Sequence, residues 1–238
     1  MGKVLALHAQ TRAAKQAETT SLGDEAYQAL KAAIRDNVFP PGHQAAEPEI
    51  ARQLGMSRTP VHEAIVRLQE EGLVQVRPRR GVVVCAISPE DIREIYDVLV
   101  AVEGMAAARL ATLPGPEGEA AAEALEQATA RMEQALARDD LPAWAAADER
   151  FHQLLTDRCG NRRLARIAGT VMDQAHRSRL FTLHLRPKPA ASAVEHRAIT
   201  GAIRGGDPDA AEAAARAHRA RARDSLLPLL ARYGMRTL

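Results

Sequence analysis

Four residues in the second half of the chain are of types that bind metal ions, namely Asp148, His152, His196 and His218. Asp148 and His152 are four positions apart, so on a helix their side chains share one face. Imidazole nitrogen together with carboxylate oxygen suits zinc, nickel or manganese, and the helices of one bundle can direct such side chains at a single ion. The chain contains eight histidines, so the spacing alone is equally consistent with ordinary surface or core histidines.

A second group of residues is suited to contacting DNA. The group comprises Ser57, Arg58, Thr59 and His62 near the start of a helical stretch, and Arg79, Arg80 and Gly81 in a later turn. Hydroxyls and amides at a helix start can reach phosphates, and the guanidinium of Arg58 can pair with guanine. Residues 52–80 hold six arginines and three glutamates, a local charge of +3 within a chain of net charge +2. A solvated basic turn is the alternative interpretation of the arginines taken alone.

The elements that must position this second group follow from the spacing of apolar residues and chain breakers. We expect helices at 24–36, 47–54 and from 57 to about 72, then a hairpin of strands at 73–76 and 82–87. A winged helix-turn-helix has this order of elements: a helix, a short helix, a glycine turn, a further helix and a hairpin. In that fold the helix that follows the turn is the recognition helix, which lies in the major groove. This order predicts a DNA-binding domain at residues 22–87, after a flexible N-terminal arm at residues 1–21.

Residues 88–238 are predicted to be helical throughout. Of the 238 residues, 48 are alanine and only 3% are aromatic, a composition that favours helices over strands. We expect helices near 89–111, 118–138, 141–158, 161–185, 190–204 and 207–231. The predicted fold class is therefore mainly α, a winged helix-turn-helix with a small β-hairpin followed by an all-α helical bundle. Most arginines of the stretch 212–223 are interpreted as a solvated helix face.

The first region resembles the DNA-binding domain of the GntR family of bacterial transcription regulators. The resemblance is carried by the run from Ser57 to Ile65, then Leu68, 71–74 and Arg80-Gly81, with Pro41-Gly42 and 47–50 upstream. Two positions depart from the family pattern, because His62 and Pro48 stand where arginine is usual or frequent. Since both family arginines are implied DNA contacts, the resemblance implies an altered operator and leaves Arg58 with more of the base recognition.

The second region resembles the all-α FCD ligand-binding domain, which marks the FadR-like branch of the same family. The resemblance is carried by Asp148, Phe151-His152, Leu155, Gly160-Asn161, Glu195-His196, Ile199, Ala202-Ile203, Gly206-Asp207 and His218. Metal-binding members use an aspartate and three histidines at these positions. The resemblance therefore implies a divalent metal ion, zinc first with nickel and manganese as alternatives, held by Asp148, His152, His196 and His218.

The same resemblance bears on the small-molecule effector. Many FCD domains carry an arginine four residues before the glutamate that matches Glu103, where it helps to hold an acidic effector, but this chain has Leu99 there. An organic acid would then depend on the metal and on another cation, for which Arg179 is the candidate effector-binding residue. A less acidic effector and a purely structural metal are the alternatives left open.

Composition excludes several other classes of protein. The hydrophobic content of 46% excludes wholesale disorder. No apolar run approaches the roughly 18–20 residues that span a bilayer, and no signal-peptide core is present, so we expect a cytoplasmic protein without a membrane partner. Cys85 and Cys159 lie far apart with no CxxC partner, which disfavours a disulfide framework or a thiolate zinc site.

Together these features predict a metabolite-responsive transcription regulator, a repressor rather than an enzyme. Two chains would pair as a homodimer through residues 88–238 and present two recognition helices to a pseudo-palindromic double-stranded operator. The effector would favour one arrangement of the DNA-binding domains, with the coupling passing through the linker near 86–89. The rivals are a metalloenzyme in which the Asp/His site activates water, and an effector-independent DNA-binding protein with a structural metal.

Overall fold

The structure, a computed structural model, describes residues 21–185 and 187–233. Of the flexible arm predicted at residues 1–21, residues 1–20 lie outside this range. The described part contains nine helices and three strands, and the chain divides into two compact units between Ile87 and Ser88. The predicted fold class, mainly α with a small antiparallel sheet, is confirmed.

The first unit contains three helices and a small sheet. Its elements are α1 (Leu22–Arg35), β1 (Gln44–Ala45), α2 (Glu47–Leu54), α3 (Arg58–Glu70), β2 (Val74–Arg77) and β3 (Gly81–Val84). The hydroxyl of Ser21 caps α1 by accepting from the backbone N–H of Asp24. Gly55 ends α2 in the left-handed conformation, with φ of 67°. The turn it makes separates the two helices of the helix-turn-helix.

The sheet of the first unit has the order β1-β3-β2, with both pairings antiparallel. The two-residue strand β1 was not predicted, because two residues are too few to show a period. The hairpin strands are also offset from the predicted ranges, since β2 begins at Val74 and β3 ends at Val84, the residue paired with Val74. Val84 is therefore the last paired residue of β3, although one further backbone hydrogen bond follows it, from the Cys85 N–H to the Leu73 carbonyl oxygen at 3.0 Å.

The core of the first unit is formed by one face of each helix. Tyr27, Leu30 and Ile34 of α1 are buried together with Val61 and Leu68 of α3. The spacing of three, four and seven residues is that of an amphipathic helix, and burial of these faces is what stabilises the unit. The opposite face of α3 is left exposed.

The second unit consists of six helices. They are α4 (Pro89–Ala111), α5 (Gly115–Ala137), α6 (Leu141–Asp157), α7 (Arg162–Phe181), α8 (Ala190–Arg204) and α9 (Pro208–Arg232). Two of these helices have an end that lies three or more residues from the predicted position. α5 starts three residues early, at Gly115 after Pro114, and α7 ends at Phe181 because 182–185 form a turn. Pro228 lies inside α9.

Four of the six helix starts in the second unit carry a side-chain cap. Ser88 and Asp91 form a reciprocal capping box at the start of α4. Asp140, Asn161 and Asp207 cap α6, α7 and α9 more simply, each side chain accepting from a backbone N–H. Three of these four starts are followed at once by proline or leucine-proline, which suits the first helical turn.

The core of the second unit is rich in alanine. α9 packs along α4, while α5 packs against α6 and α8. Alanines on these faces are buried beside a few large side chains, including Phe151 and Ile199. Because small side chains let helix axes approach closely, the histidines of α6, α8 and α9 are brought within reach of one another.

Candidate functional site

The four predicted metal ligands lie together in the interior of the second unit. Asp148 and His152 come from adjacent turns of α6, His196 from α8 and His218 from α9. All four side chains are buried, and one ligand atom from each lies within 4.8 Å of those of the others. The cluster therefore forms where three helices, α6, α8 and α9, meet in the interior.

The distances within the cluster fit a single metal ion. His218 Nε2 lies 3.2 Å from His196 Nε2 and 3.3 Å from His152 Nε2. Nitrogen ligands at the usual Zn–N distance around a tetrahedral ion are about 3.3 Å apart, so the imidazoles already have the spacing of a ligand set. Asp148 oxygens lie 3.8 Å from His152 Nε2 and from His196 Nε2.

Two of the histidines are oriented by carboxylates. His152 Nδ1 donates to Glu103 Oε2 at 2.9 Å, and His218 Nδ1 donates to Glu195 Oε2 at 2.6 Å. A carboxylate that accepts at Nδ1 leaves Nε2 unprotonated and directed at the cluster, the arrangement found around metal-binding histidines. His196 differs, because its Nδ1 faces Met132 Sδ at 3.1 Å.

Arg219 completes this buried network. Its Nε donates to Glu103 Oε2 at 2.7 Å, and its Nη2 donates to Glu103 Oε1. Arg219 is 1% exposed, so the interpretation of the arginines of 212–223 as a solvated face is wrong at this position. The reason is helical phase, since Arg219 lies on the same buried face of α9 as Ala215 and next to His218.

The charges of the network keep the carboxylates ionised and the imidazole neutral. Burial acts to raise the pKa of Glu103, but Arg219 and His152 outweigh it and lower that pKa to about 2. Burial, reinforced by Arg219 and opposed by Glu103, lowers the pKa of His152 to about 4. Both residues are therefore in the form that metal binding requires at neutral pH.

A cavity of about 430 Å³ adjoins the cluster. Asp148 and His218 line it, together with Arg179, Arg219, Tyr96 and Trp144. Arg179 Nη2 lies 3.1 Å from Asp148 Oδ2, a charge contact rather than an aligned hydrogen bond. Burial acts to raise the pKa of Asp148, but Arg179 and the neighbouring histidines lower it below its usual range. The cavity size is that of a small-molecule site.

The residues predicted to contact DNA lie on the exposed face of the first unit. Ser57 is the N-cap residue of α3, and Arg58, Thr59 and His62 are exposed in its first two turns. Pro60 and Val61, between them, are buried. The N-terminal end of α3 thus offers a hydroxyl, a guanidinium and an imidazole on one side.

The wing residues lie at the tip of the β2–β3 hairpin. Arg79 and Arg80 are exposed there, and Arg79 has φ of 64°, which reverses the chain within the turn. Gly81 has φ of 74°, and a Cβ at this position would lie 2.6 Å from the carbonyl oxygen of Ala45. From the sequence, Gly81 was predicted only to lie near DNA, but its contact with β1 requires glycine independently of DNA.

Sequence reasoning did not identify Glu195 or Arg219 as members of the hydrogen-bond network around the cluster. It also did not predict that Glu103 orients His152. Glu195 directly precedes His196 and Arg219 directly follows His218, so adjacency to a proposed ligand was the available signal. Arg179 was proposed as an effector contact, and the structure places it in the cavity wall. Leu99, which stands where many FCD domains carry an effector-binding arginine, is fully buried.

Matches to known proteins agree with this architecture. A family model described as bacterial regulatory proteins, gntR family, matches residues 22–84, and one described as FCD domain matches residues 94–221. The chain is thus a DNA-binding transcription regulator with a helical C-terminal domain. It belongs to the GntR family, in the branch that carries an FCD domain.

Several relatives are bacterial regulators. The chain is 62% identical over 130 residues, 55% of its length and 76% of the relative, to an HTH-type transcriptional regulator in the TAR-I ttuE-ttuC' intergenic region of Agrobacterium vitis. It is 33% identical over 138 residues to the transcriptional repressor RspR of Escherichia coli K12, covering 58% and 59% of the two chains. It is 28% identical over 205 residues to a probable D-xylose utilization operon repressor of Paenarthrobacter nicotinovorans, covering 86% and 88%.

Solved structures show the same fold. A putative GntR regulator from Rhodococcus sp. RHA1 aligns with a TM-score of 0.71 and 26% identity over 88% of this chain and 99% of that one. The E. coli protein McbR/YncC aligns with a TM-score of 0.76 at 18% identity, over 90% and 100% of the chains. None of the described helices is long and apolar enough to cross a membrane.

Proposed function

We propose that this regulator is a metabolite-responsive repressor whose helical unit binds a divalent metal ion and a small anionic effector. The observation that carries the proposal is the buried cluster of Asp148, His152, His196 and His218 beside a cavity. Buried polar groups are costly unless they are satisfied, and three imidazole nitrogens directed at one carboxylate are best satisfied by a cation. The names of the E. coli and Paenarthrobacter relatives, both repressors, support the regulatory direction.

The proposed metal would be held by one carboxylate and three imidazoles. Zinc is the first choice for such a set, and nickel and manganese are compatible with it. When bound, the ion would supply positive charge beside the cavity that Asp148 and His218 line. Side chains of this protein hold the proposed ligands in position. Glu103 and Glu195 orient the rings of His152 and His218. The positive charge of Arg179 keeps Asp148 ionised.

The proposed effector is a small organic acid. The cavity wall is mostly apolar, but three arginines line it, Arg179, Arg219 and Arg221, and Tyr96 and Trp144 supply flat surfaces. Arg219 is already paired with Glu103, Arg221 is paired with Glu195, and Arg179 contacts Asp148, so the positive charge available to a ligand is modest. A ligand with one carboxylate fits this balance better than a polyanion does.

The proposed DNA-binding form is a homodimer on a pseudo-palindromic double-stranded operator. Regulators of this family bind DNA operators and are often dimeric. In each chain Ser57, Arg58, Thr59 and His62 would enter the major groove, with Arg79, Arg80 and Gly81 of the wing beside the backbone. Effector binding would act by favouring one arrangement of the two DNA-binding units.

The metal is tested by elemental analysis of the purified protein. We expect about one equivalent of metal per chain in the wild type, and almost none after His152→Ala and His196→Ala are combined, because two of four ligands are lost. His184→Ala, which removes an exposed histidine, is the matched control and should retain the metal. Undiminished metal in the double variant contradicts the site.

The effector is tested through Trp144, the only tryptophan of the chain and part of the cavity wall. Titration with a panel of small organic acids, with and without zinc, should change the emission of this tryptophan for the acids that bind. Arg179→Gln should weaken binding of an active acid about tenfold, as expected for loss of a charged hydrogen bond. If no acid changes either the emission or the operator affinity, the organic-acid effector is contradicted, which leaves a less acidic effector or a purely structural metal.

A further inference from the structure

A contact between α2 and α3 orients one side chain on the exposed face of the helix-turn-helix. His62 Nδ1 lies 3.1 Å from Glu47 Oε2. Glu47 is the first residue of α2, and His62 lies in the second turn of α3. An ionised carboxylate only accepts hydrogen bonds, so the ring hydrogen of His62 lies on Nδ1. The contact therefore sets both the orientation and the tautomer of this imidazole.

The ring then presents Nε2 to its surroundings. The His62 side chain is 64% exposed, and it lies one helical turn after Arg58 on the same exposed face. In a neutral imidazole with its hydrogen on Nδ1, Nε2 is a hydrogen-bond acceptor, whereas the guanidinium of Arg58 only donates. The face of α3 thus offers donors at one position and an acceptor one turn later.

We propose that Glu47 and His62 form a base-reading pair that selects adenine or cytosine at one position of each operator half-site. In the major groove the base-edge donors are N6 of adenine and N4 of cytosine, and both can donate to Nε2. The carboxylate of Glu47 also disfavours a phosphate beside the same ring, because like charges repel. The inference rests on the proposed DNA-contacting role of α3 and adds a base preference to it.

The pair also predicts what an arginine would do at the same position. An arginine has donors only, and in the major groove its preferred partner is guanine through O6 and N7. Replacing the acceptor by a donor should therefore change which base is selected, rather than simply weaken binding. Removal of the Glu47 carboxylate should leave the ring free to adopt either tautomer and blur the preference.

The test is in vitro selection from a randomised double-stranded DNA pool with the full chain at about pH 8, above the range in which imidazoles ordinarily take up a proton. For the wild type we expect one half-site position enriched in adenine or cytosine. His62→Arg should shift that position to guanine by about tenfold, and Glu47→Ala should reduce the wild-type enrichment about threefold. The other half-site positions should stay unchanged in both variants.

Glu70→Ala removes an exposed carboxylate at the far end of α3 and is the matched control. Circular dichroism and thermal unfolding establish that each variant folds. If the pair only joins the two helices, Glu47→Ala would lower stability or DNA affinity without changing the base frequencies, and that result would overturn the inference. An unchanged base preference in the His62→Arg protein would also overturn it. Failure of the wild type to enrich any sequence is a different result, since it contradicts the DNA-contacting role of α3 itself.

Discussion

At the scale of single residues, the proposed metal centre should depend on side chains that do not themselves bind the ion. Glu103 and Glu195 accept from the Nδ1 atoms of His152 and His218, which leaves the opposite ring nitrogens directed at the cluster. Partners of this kind typically change metal affinity by about ten- to a hundredfold. Affinity should therefore respond to changes one contact away from the ligands.

Glu195→Ala should weaken zinc binding by about tenfold or more, because His218 loses the acceptor that fixes its ring. Glu195 is suited to the test since it is half-buried and its removal leaves no buried arginine without a partner. Competition with a chromogenic chelator measures the affinity. Glu133→Ala, which also removes a glutamate paired with an arginine, should leave it unchanged.

Arg58→Ala should cost roughly 1–3 kcal/mol of operator binding if this guanidinium pairs with a guanine. Arg166→Ala, an exposed arginine on α7, is the charge-matched control. Fluorescence anisotropy with a selected operator duplex gives both affinities. Equal affinities for the Arg58→Ala protein and the wild type would refute the assignment of α3 as the recognition helix.

The four clustered residues could be singled out from the sequence, but the side chains that contact them could not. Asp148 and His152 share a helical face by spacing alone. His196 and His218 were candidates by residue type, and the resemblance to a family favoured all four as metal ligands. Arg219 was misinterpreted because arginine is ordinarily a surface residue, and only the packing of α9 against α4 shows that its phase is buried. The contact of Glu103 with His152 joins residues 49 positions apart, a distance that no local pattern reports.

At the scale of elements, helices were predicted better than strands. Most of the helix starts coincide with caps or prolines that are visible in the sequence, such as Ser88-Pro89 and Asp207-Pro208. The strand β1 has only two residues, and its existence depends on pairing with Val82 and Val83 of β3. Sheet edges are decided by such pairings, so the limits of β2 and β3 could be predicted only approximately.

The contact between β1 and β3 should make Gly81 sensitive to substitution. Gly81→Ala introduces a Cβ 2.6 Å from the carbonyl oxygen of Ala45 and strains a backbone with φ of 74°. Gly72→Ala is the matched control, because Gly72 has φ of 70° with nothing within 4 Å. We expect a loss of about 1–2 kcal/mol for Gly72→Ala from backbone strain, and a clearly larger loss for Gly81→Ala. Urea unfolding followed by circular dichroism would measure both, and equal losses would refute the steric role of the contact.

At the scale of the whole molecule, charge and function are divided unequally along the chain. Residues 1–87 contain 11 Lys and Arg against 9 Asp and Glu, which accounts for the net charge of +2. The second unit is balanced in charge but buries a concentrated set of ionisable groups. The two units should therefore respond to different solution conditions, the first to salt and the second to pH and metal.

Without metal, the free energy of unfolding should fall as the pH is lowered from about 6.5 to about 4. The pKa of His152 is lowered to about 4, so within this range the unfolded chain binds a proton that the folded chain does not. Unfolding is thereby favoured, by up to about 3 kcal/mol from this residue. Glu103 and Glu195, whose pKa values are lowered to about 2, contribute losses mainly below that range.

Chemical unfolding at pH 7 and pH 5 in the presence of a chelator would measure this dependence. His152→Asn should reduce it, leaving the contribution of His196, whose pKa burial also lowers well below its usual value. His184→Gln, a change at an exposed histidine, should leave it as in the wild type. A stability that is the same at both pH values in the wild type would contradict the neutral, buried state of His152.

The order of the sites along the chain has a consequence for protein synthesis. All proposed DNA contacts lie between Ser57 and Gly81, whereas the ligand set is completed only by His218 on the last described helix, α9. A ribosome therefore makes the whole proposed DNA-contacting surface well before the proposed metal site is complete. Translation that stops between these points yields a product with the proposed DNA contacts and without the proposed metal site, and such a product should not respond to the proposed effector.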